Sequence, residues 1–285
     1  MSKFKSVNIN RGTSGNVVTI IIVLVLGVFM LMPLIYVTSN AFKPIDELYR
    51  FPPTIFVQNP TTKNFIDMFN LIGETNMSFL RYIFNTVFLT TSSAVGQIIM
   101  ASLCAYSISK IPYPGAKVIF RVIIFSLMFS DSVTSVPKFI LFSKLGLVDT
   151  YWGMIIPSLV STMGLFLMKQ FMDNTVPNEL LEAARIDGAG EIKIFFRIVM
   201  PLLKPAWFTL VILSIKTSWG ASSTNTYREV FKTLPQALEQ ISSGGISRTG
   251  VSSAAALIML IIPIVAFIVT QSKMVDTMGS AGLKG

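Results

Sequence analysis

Six stretches of this 285-residue chain are uncharged or nearly uncharged, and each is long enough to cross a ~30 Å hydrocarbon core as a helix. The first, residues 17–39, reads VVTIIIVLVLGVFMLMPLIYVTS between Arg11 and Lys43. Three more are free of charge, between Arg81 and Lys110, Asp149 and Lys169, and Arg248 and Lys273. The third run, 118–137, contains Asp131 with Arg121 near its start, and the fifth, 202–221, contains Lys216 with Lys204 near its start. In lipid every backbone polar group must be satisfied internally, so runs of this kind predict helices. The expected fold class is an all-α integral membrane protein with six transmembrane helices. A signal peptide is the competing reading of the first run, since Lys3, Lys5 and Arg11 precede it. The run exceeds a signal h-region and no small-residue cleavage site follows, so it is read as an uncleaved span.

Composition agrees and removes several functions. The chain is 52% hydrophobic and 13% charged, about half the charge of a typical soluble domain. It has no His and one cysteine, Cys104, which argues against a transition-metal site, a Ser-His-Asp triad or a Cys-His nucleophile. The net charge of +9 comes without a basic cluster, so it points to loops obeying the positive-inside rule and not to nucleic acid. Lys and Arg placement puts both ends in the cytoplasm. The predicted organisation is a cytoplasmic tail at 1–16, a first span at 17–39 and an extracellular segment at 40–78. A five-helix core over 79–275 and a cytoplasmic tail at 276–285 complete it.

Against this background the charge within 169–204 stands out, five acids against five bases. The spacing predicts a helix over 175–187, with Thr175 as its cap, Pro177 in its first turn and the helix formers NELLEAARI. Gly188 and Gly190 break it, Gly188 by taking positive φ at the stop. A second helix follows, with Ile192, Phe195, Phe196 and Val199 on one face and Lys193 and Arg197 on another. Pro201 and Pro205 frame the start of the fifth span. Such a knob suits either an amphipathic helix lying on lipid or a docking element for a protein. Lipid-lying helices are basic on the polar face, and the balance of acids and bases favours a protein.

Glu182-Ala183-Ala184, then Gly188, Ile198 and Pro201, resemble the EAA signature of permease subunits in ATP-binding-cassette importers. The strings PNELLEAARIDGAGEIKIFFRIVMPLLKPA, LGLVDTYWGMIIP, TLPQAL and GSAGLKG look like the carbohydrate-uptake, maltose-type branch, over nearly the whole chain. The resemblance implies a cytoplasmic EAA helix-loop-helix coupling element, at 175–200, that docks on an ATPase subunit. Glu182, Ala183, Ala184, Asp187, Gly188 and Ala189 would carry the coupling, with Ala183 and Ala184 as a small face for close approach. It also implies a second homologous permease, two ATPase subunits, an extracellular solute-binding protein and a saccharide substrate. No Walker A pattern occurs, so ATP and Mg would be used by the ATPase partner, with no cofactor bound by this chain and no catalytic residue in it.

Two departures from the family touch the substrate path. Ser130 and Asp131 stand where relatives carry a proline, and Gly220 follows the tryptophan where relatives carry Asn. Ser130, Asp131 and Trp219 are therefore the translocation-path candidates. Lys216 is expected to snorkel outward, and at least two of Trp152, Trp207 and Trp219 to sit in interfacial belts. An ion-gradient-driven secondary transporter or channel is the alternative; it would favour clustered intramembrane acids, and here Asp131 and Lys216 are the ionisable residues most clearly within spans.

Overall fold

The computed structural model describes residues 13–74, 77–129, 131–219, 226–245 and 248–282, and the described residues hold helices and no strands. Two compact units share the chain, Met1–Met68 with Gly245–Leu257, and Phe69–Gly244 with Ile258–Gly285.

In the first unit, α1 (Thr13–Phe42) is apolar on every side, and none of its most apolar window is buried by the chain. A helix hydrophobic all round needs lipid or another subunit to cover it. Its C-terminal carbonyls are capped from further along the chain. Asn64, at the start of α3 (Lys63–Gly73), donates from Nδ2 to the carbonyls of Ala41 at 3.0 Å and Lys43 at 2.8 Å, and Thr61 N–H donates to Phe42 at 2.8 Å. Gly250 makes room for that amide, since a Cβ there would collide with Asn64. Between these helices lies α2 (Ile45–Leu48), where buried Glu47 accepts from Gln58 N–H at 2.8 Å and Asn59 N–H at 3.2 Å. Residues 41–64 are thus fastened to one another by side-chain-to-backbone bonds.

The second unit is built around α4 (Phe79–Lys110), which packs against the later helices α7, Tyr151–Leu159, α8, Thr162–Thr175, and α12, Lys204–Trp219. The buried face of α4 is mostly small or polar: Thr86, Thr90, Ser93, Ala94, Gln97, Ala101, Ser102 and Ala105 lie on it beside the larger Tyr82, Leu89 and Tyr106. Small residues let helices approach closely where no hydrophobic driving force separates lipid from protein. Gly96 shows the same economy of space, because a Cβ there would strike Leu159. Ser93 and Ser158 exchange a hydroxyl hydrogen bond of 2.6 Å across the α4–α7 contact.

Three expected spans are not continuous helices, and the fourth run is the mildest case, divided into α7 and α8 at Val160 and Ser161. The third run divides into α5 (Ala116–Ser126) and α6 (Asp131–Lys144). Leu127, Met128 and Phe129 bond back three residues and not four, so the α-helical ladder ends there without a proline. The fifth run is reached through a 79° bend between Glu191–Leu202 and Lys204–Trp219. Among the described residues, three stretches are long and apolar enough to cross a membrane, Val17–Phe42, Phe79–Lys110 and Tyr151–Thr175, and the bent pair counts as a fourth if taken as one span. The last helix, α14 (Thr249–Gly282), runs through the sixth apolar run and beyond residue 276.

The tryptophans differ in burial. Trp207 packs against the buried core and Trp219 is buried, its Nε1 donating to the Met259 carbonyl at 2.9 Å, while Trp152 is exposed. Trp219 is thus a packing residue, Trp207 is half-buried and Trp152 stands outward. Lys216 is exposed at the last turn of α12. Ser130 and Gly220 lie outside the described residues, as does the side chain of Asp131, whose backbone opens α6.

Candidate functional site: the knob at the C-terminal end of α4

Residues 176–202 form the compact, partly charged element expected from the sequence, with a later start. The first helix, α9, spans Asn178–Ile186 with Pro177 at its N-cap, and Thr175 is the last residue of α8 and no cap. The start is displaced because Val176 is buried and its carbonyl accepts from Lys110 Nζ at 2.6 Å; the same ammonium donates to Asn178 Oδ1 at 2.9 Å.

The stop falls where the glycine predicts. Gly188 takes φ 78°, Gly188 N–H donates to the Arg185 carbonyl, and Ala189 N–H reaches back to the Ala184 carbonyl, both at 3.0 Å. This is the Schellman arrangement, which satisfies the last carbonyls of the helix and needs a left-handed residue at its turn. The second helix begins as α10 (Glu191–Ile194), passes through a π-helical turn at Phe195–Val199 and ends in α11 (Met200–Leu202). The wider turn lets Ile194, Phe195 and Val199 all face the core, with Leu181, Ala184, Met168, Met172, Ala105 and Tyr106.

Side chains then divide by face. Leu181 and Ala184, three apart, point into the core, while Glu182, Ala183, Asp187 and Gly188 are exposed and Ala189 is half-buried. Ala183 and Ala184 therefore do not form one small face as expected: adjacent helical residues lie about 100° apart, and the core takes one of them. The outward surface instead carries two bare aliphatic side chains on either side of the turn, Ile186 at 86% exposure and Ile192 at 77%.

Not all the charge faces outward. Arg185 Nε donates to Glu191 Oε1 at 2.6 Å, bridging the end of α9 to the start of α10, and the Tyr106 hydroxyl donates to Glu191 Oε2. The hydrogen bonds from Arg185 and Tyr106 hold the Glu191 carboxyl below its ordinary range against the cost of burial, and the same bond raises Arg185. Lys169 pairs with Asp173 at 2.5 Å. Opposite charges flanking the 188–190 break were a legible signal for the Arg185–Glu191 pair. Nothing in the sequence pointed to Tyr106 or Lys110, which lie far from the knob along the chain.

The N-terminal end of α4 carries a second polar knot. Asn85 Nδ2 donates to the carbonyls of Val230 at 2.8 Å and Lys232 at 2.9 Å, and its Oδ1 accepts from Tyr151 OH at 2.8 Å. Tyr82 OH donates to Glu229 at 3.0 Å, and Thr86 Oγ1 accepts from Leu234 N–H at 2.8 Å at the start of α13 (Leu234–Ser242). Asp149, at φ 57°, accepts from the backbone N–H of Tyr227 and, at 2.9 Å, Arg228. Burial opposes its charge, but those N–H groups, with Arg228 and Lys232, hold its carboxyl below the ordinary range. Thr150 caps α7 by accepting from Gly153 N–H at 3.1 Å, and a Cβ at Gly153 would collide with the Leu147 carbonyl. The LGLVDTYWG string is thus a fastening for residues 226–234.

Apolar membrane-length helices and a knob joined to the end of one of them define a class, the multi-pass membrane transport component. The chain belongs to the family of binding-protein-dependent transport system inner membrane components, matched over residues 16–272. Members of that family are permease subunits, transport components without catalytic chemistry of their own. It is 30% identical over 201 residues to the polygalacturonan/rhamnogalacturonan transport system permease protein of Bacillus subtilis, covering 70% of this chain and 68% of that one. The arabinooligosaccharides transport system permease protein of the same organism is 27% identical over 266 residues, 92% and 93% of the two chains. The sn-glycerol-3-phosphate transport system permease protein of Yersinia enterocolitica is 30% identical over 201 residues, 70% of this chain and 71% of its own. In fold, the chain resembles a subunit in the crystal structure of a bacterial ABC transporter involved in the import of the acidic polysaccharide alginate. The TM-score is 0.76 at 22% identity, over 92% of this chain and 98% of that one.

Proposed function

We propose that this chain is one transmembrane subunit of an ATP-driven importer of a saccharide or oligosaccharide, and that it forms half of the translocation pathway. Its partners are a second, homologous permease, two ATPase subunits that use ATP and Mg, and an extracellular solute-binding protein. Carbohydrate-transport relatives over most of the chain support the substrate class, and family membership favours ATP-driven import over an ion-gradient-driven carrier.

The observation that carries the coupling assignment is the form of the knob. A Schellman-terminated helix and its successor are braced from α4, yet they leave Glu182, Ala183, Ile186, Asp187 and Ile192 outward. Surface aliphatic side chains held rigidly beside acids suit a protein groove, and the ATPase is the partner that needs one. In this reading Gly188 sets the turn, Ala184 and Ala189 seat the knob on the core, and both termini are cytoplasmic in a six-span chain. The break between α5 and α6 supports placing Ser130 and Asp131 on the pathway, because irregular backbone at membrane depth survives only against protein or a water-filled cavity. Trp219 stays a pathway candidate on the family resemblance alone, since it is buried and its N–H is already engaged.

Docking of the ATPase onto the permease pair in nanodiscs tests the reading. Gly188→Pro is expected to insert normally and to lose docking; docking at wild-type affinity would refute the coupling role. Uptake of arabino-oligosaccharides, galacturonan oligosaccharides and sn-glycerol 3-phosphate by the reconstituted importer tests the substrate class. Uptake of the last alone would overturn it.

A further inference from the structure

We propose that Tyr106 is a positioning residue for coupling: through Glu191 and Arg185 its hydroxyl fixes the angle between the two helices of the knob and ties that angle to α4. The proposal rests on the coupling role of the knob given above.

Only four residues, 187–190, separate α9 from α10, and α10 has no side-chain cap of its own. The Schellman bonds fix where α9 stops but leave the direction of the next helix to other contacts. Glu191, the first residue of α10, supplies them. One carboxylate oxygen takes the Arg185 Nε–H from the last turn of α9, and the other takes the Tyr106 hydroxyl from the last turns of α4. Arg185 Nη2 also reaches Glu191 Oε2 at 3.4 Å and the Lys110 carbonyl at 3.5 Å. Lys110 in turn holds Val176 and Asn178 ahead of α9. Both ends of α9 and the start of α10 are therefore bonded to one turn of α4. Bonds to ionised partners are the strong ones, and a carboxylate held by two donors has little freedom left.

The covalent route from the knob into α12 is the softer one. It passes a π-helical turn, a three-residue helix and a 79° bend, where changes in dihedral angle absorb motion. Tyr106 is buried, and its ring lies 5.5 Å from that of Phe195, so the hydroxyl is placed by packing before it meets Glu191. A load on the knob is passed to α4 through a fixed contact and to α12 through a hinge.

The test uses the permease pair in nanodiscs. Spin labels at Glu179→Cys and Lys193→Cys, with Cys104→Ser, read the angle between the knob helices, and titration with the ATPase reads docking. Tyr106→Phe keeps the ring on Phe195 and removes only the hydroxyl. It is expected to turn a narrow distance distribution into a broad one. Docking should weaken about five- to tenfold, since losing a hydrogen bond to a charged group lowers the fraction of competent knobs by that order. Glu191→Gln should do the same, and Tyr106→Phe added to Glu191→Gln should have no further effect, which a packing role would not produce. An unchanged distribution with wild-type docking in Tyr106→Phe, or effects that add, overturns the proposal. If Tyr106→Phe does not accumulate, Glu191→Gln decides: an altered angle and weakened docking uphold it, and wild-type values overturn it. Wild-type docking in Gly188→Pro would show that the knob is not the docking element, and the proposal would fall with that reading.

Discussion

The two ends of α4 do opposite work with similar chemistry. At its N-terminal end Tyr82, Asn85 and Thr86 spend their polar atoms on residues 229–234, so that this end is closed on itself. At its C-terminal end Tyr106 and Lys110 also bond to distant residues, but what they hold in place is an exposed surface with Ile186 and Ile192 uncovered. The first pattern is a fastening and the second a mount. Rigidity at both ends of a helix of 32 residues, roughly 48 Å at 1.5 Å per residue, is what a strut across a membrane requires.

Substitutions at the two ends of α4 are expected to differ in what they damage. Gly153→Val should be the most damaging, because any Cβ there meets the Leu147 carbonyl and the α7 cap cannot form. A loss of about 3 kcal/mol or more is expected, read as a large fall in melting temperature of the purified complex. Asn85→Leu strands the buried Lys232 carbonyl and the half-buried Val230 carbonyl and removes the acceptor of the Tyr151 hydroxyl, for about 2 to 3 kcal/mol in the same measurement. Neither change should alter ATPase affinity in complexes that remain folded. Gly188→Ala forces a side chain to φ 78°, for about 1 kcal/mol, and here ATPase affinity should fall more than melting temperature. Lys169→Gln removes a partly exposed i,i+4 pair and should cost under about 1 kcal/mol, with docking unchanged.

Acid sharpens the same contrast. Glu191 and Asp149 are both held below their ordinary values of 4.5 and 3.8, so their contributions are fully present above those values. They are lost as pH falls through the lower folded values. Stability and docking should be flat from pH 8 to 5 and decline below about pH 4, with the knob's share removed by Glu191→Gln and the fastening's share by Asp149→Asn. A decline that begins above pH 5 would contradict this assignment.

Much of the knob was legible in the sequence because its signals are local. Gly188 stops a helix whatever surrounds it, and the apolar runs of α1 and α4 need no tertiary information to be read as helices. What escaped depends on distance along the chain. Which alanine of the pair faces the core is set by Leu181 and the helices beneath it, and the partner of Glu191 on α4 lies 85 residues away. The breaks were hidden for another reason. Hydropathy measures transfer to lipid and does not register that Leu127–Phe129 turn more tightly or that the chain bends near Leu203. The spacing of the tryptophans suggested belts, but Trp219 found a carbonyl on α14 and packed.

The knob's outward face is expected to meet the ATPase, and cross-linking measures that contact directly. Ala183→Cys and Ser243→Cys, each with Cys104→Ser, are carried in the assembled importer with a bifunctional thiol-to-amine reagent. A cross-link to the ATPase from Ala183→Cys and none from Ser243→Cys is the predicted result. No ATPase adduct at Ala183, or an equal one at Ser243, would contradict the account.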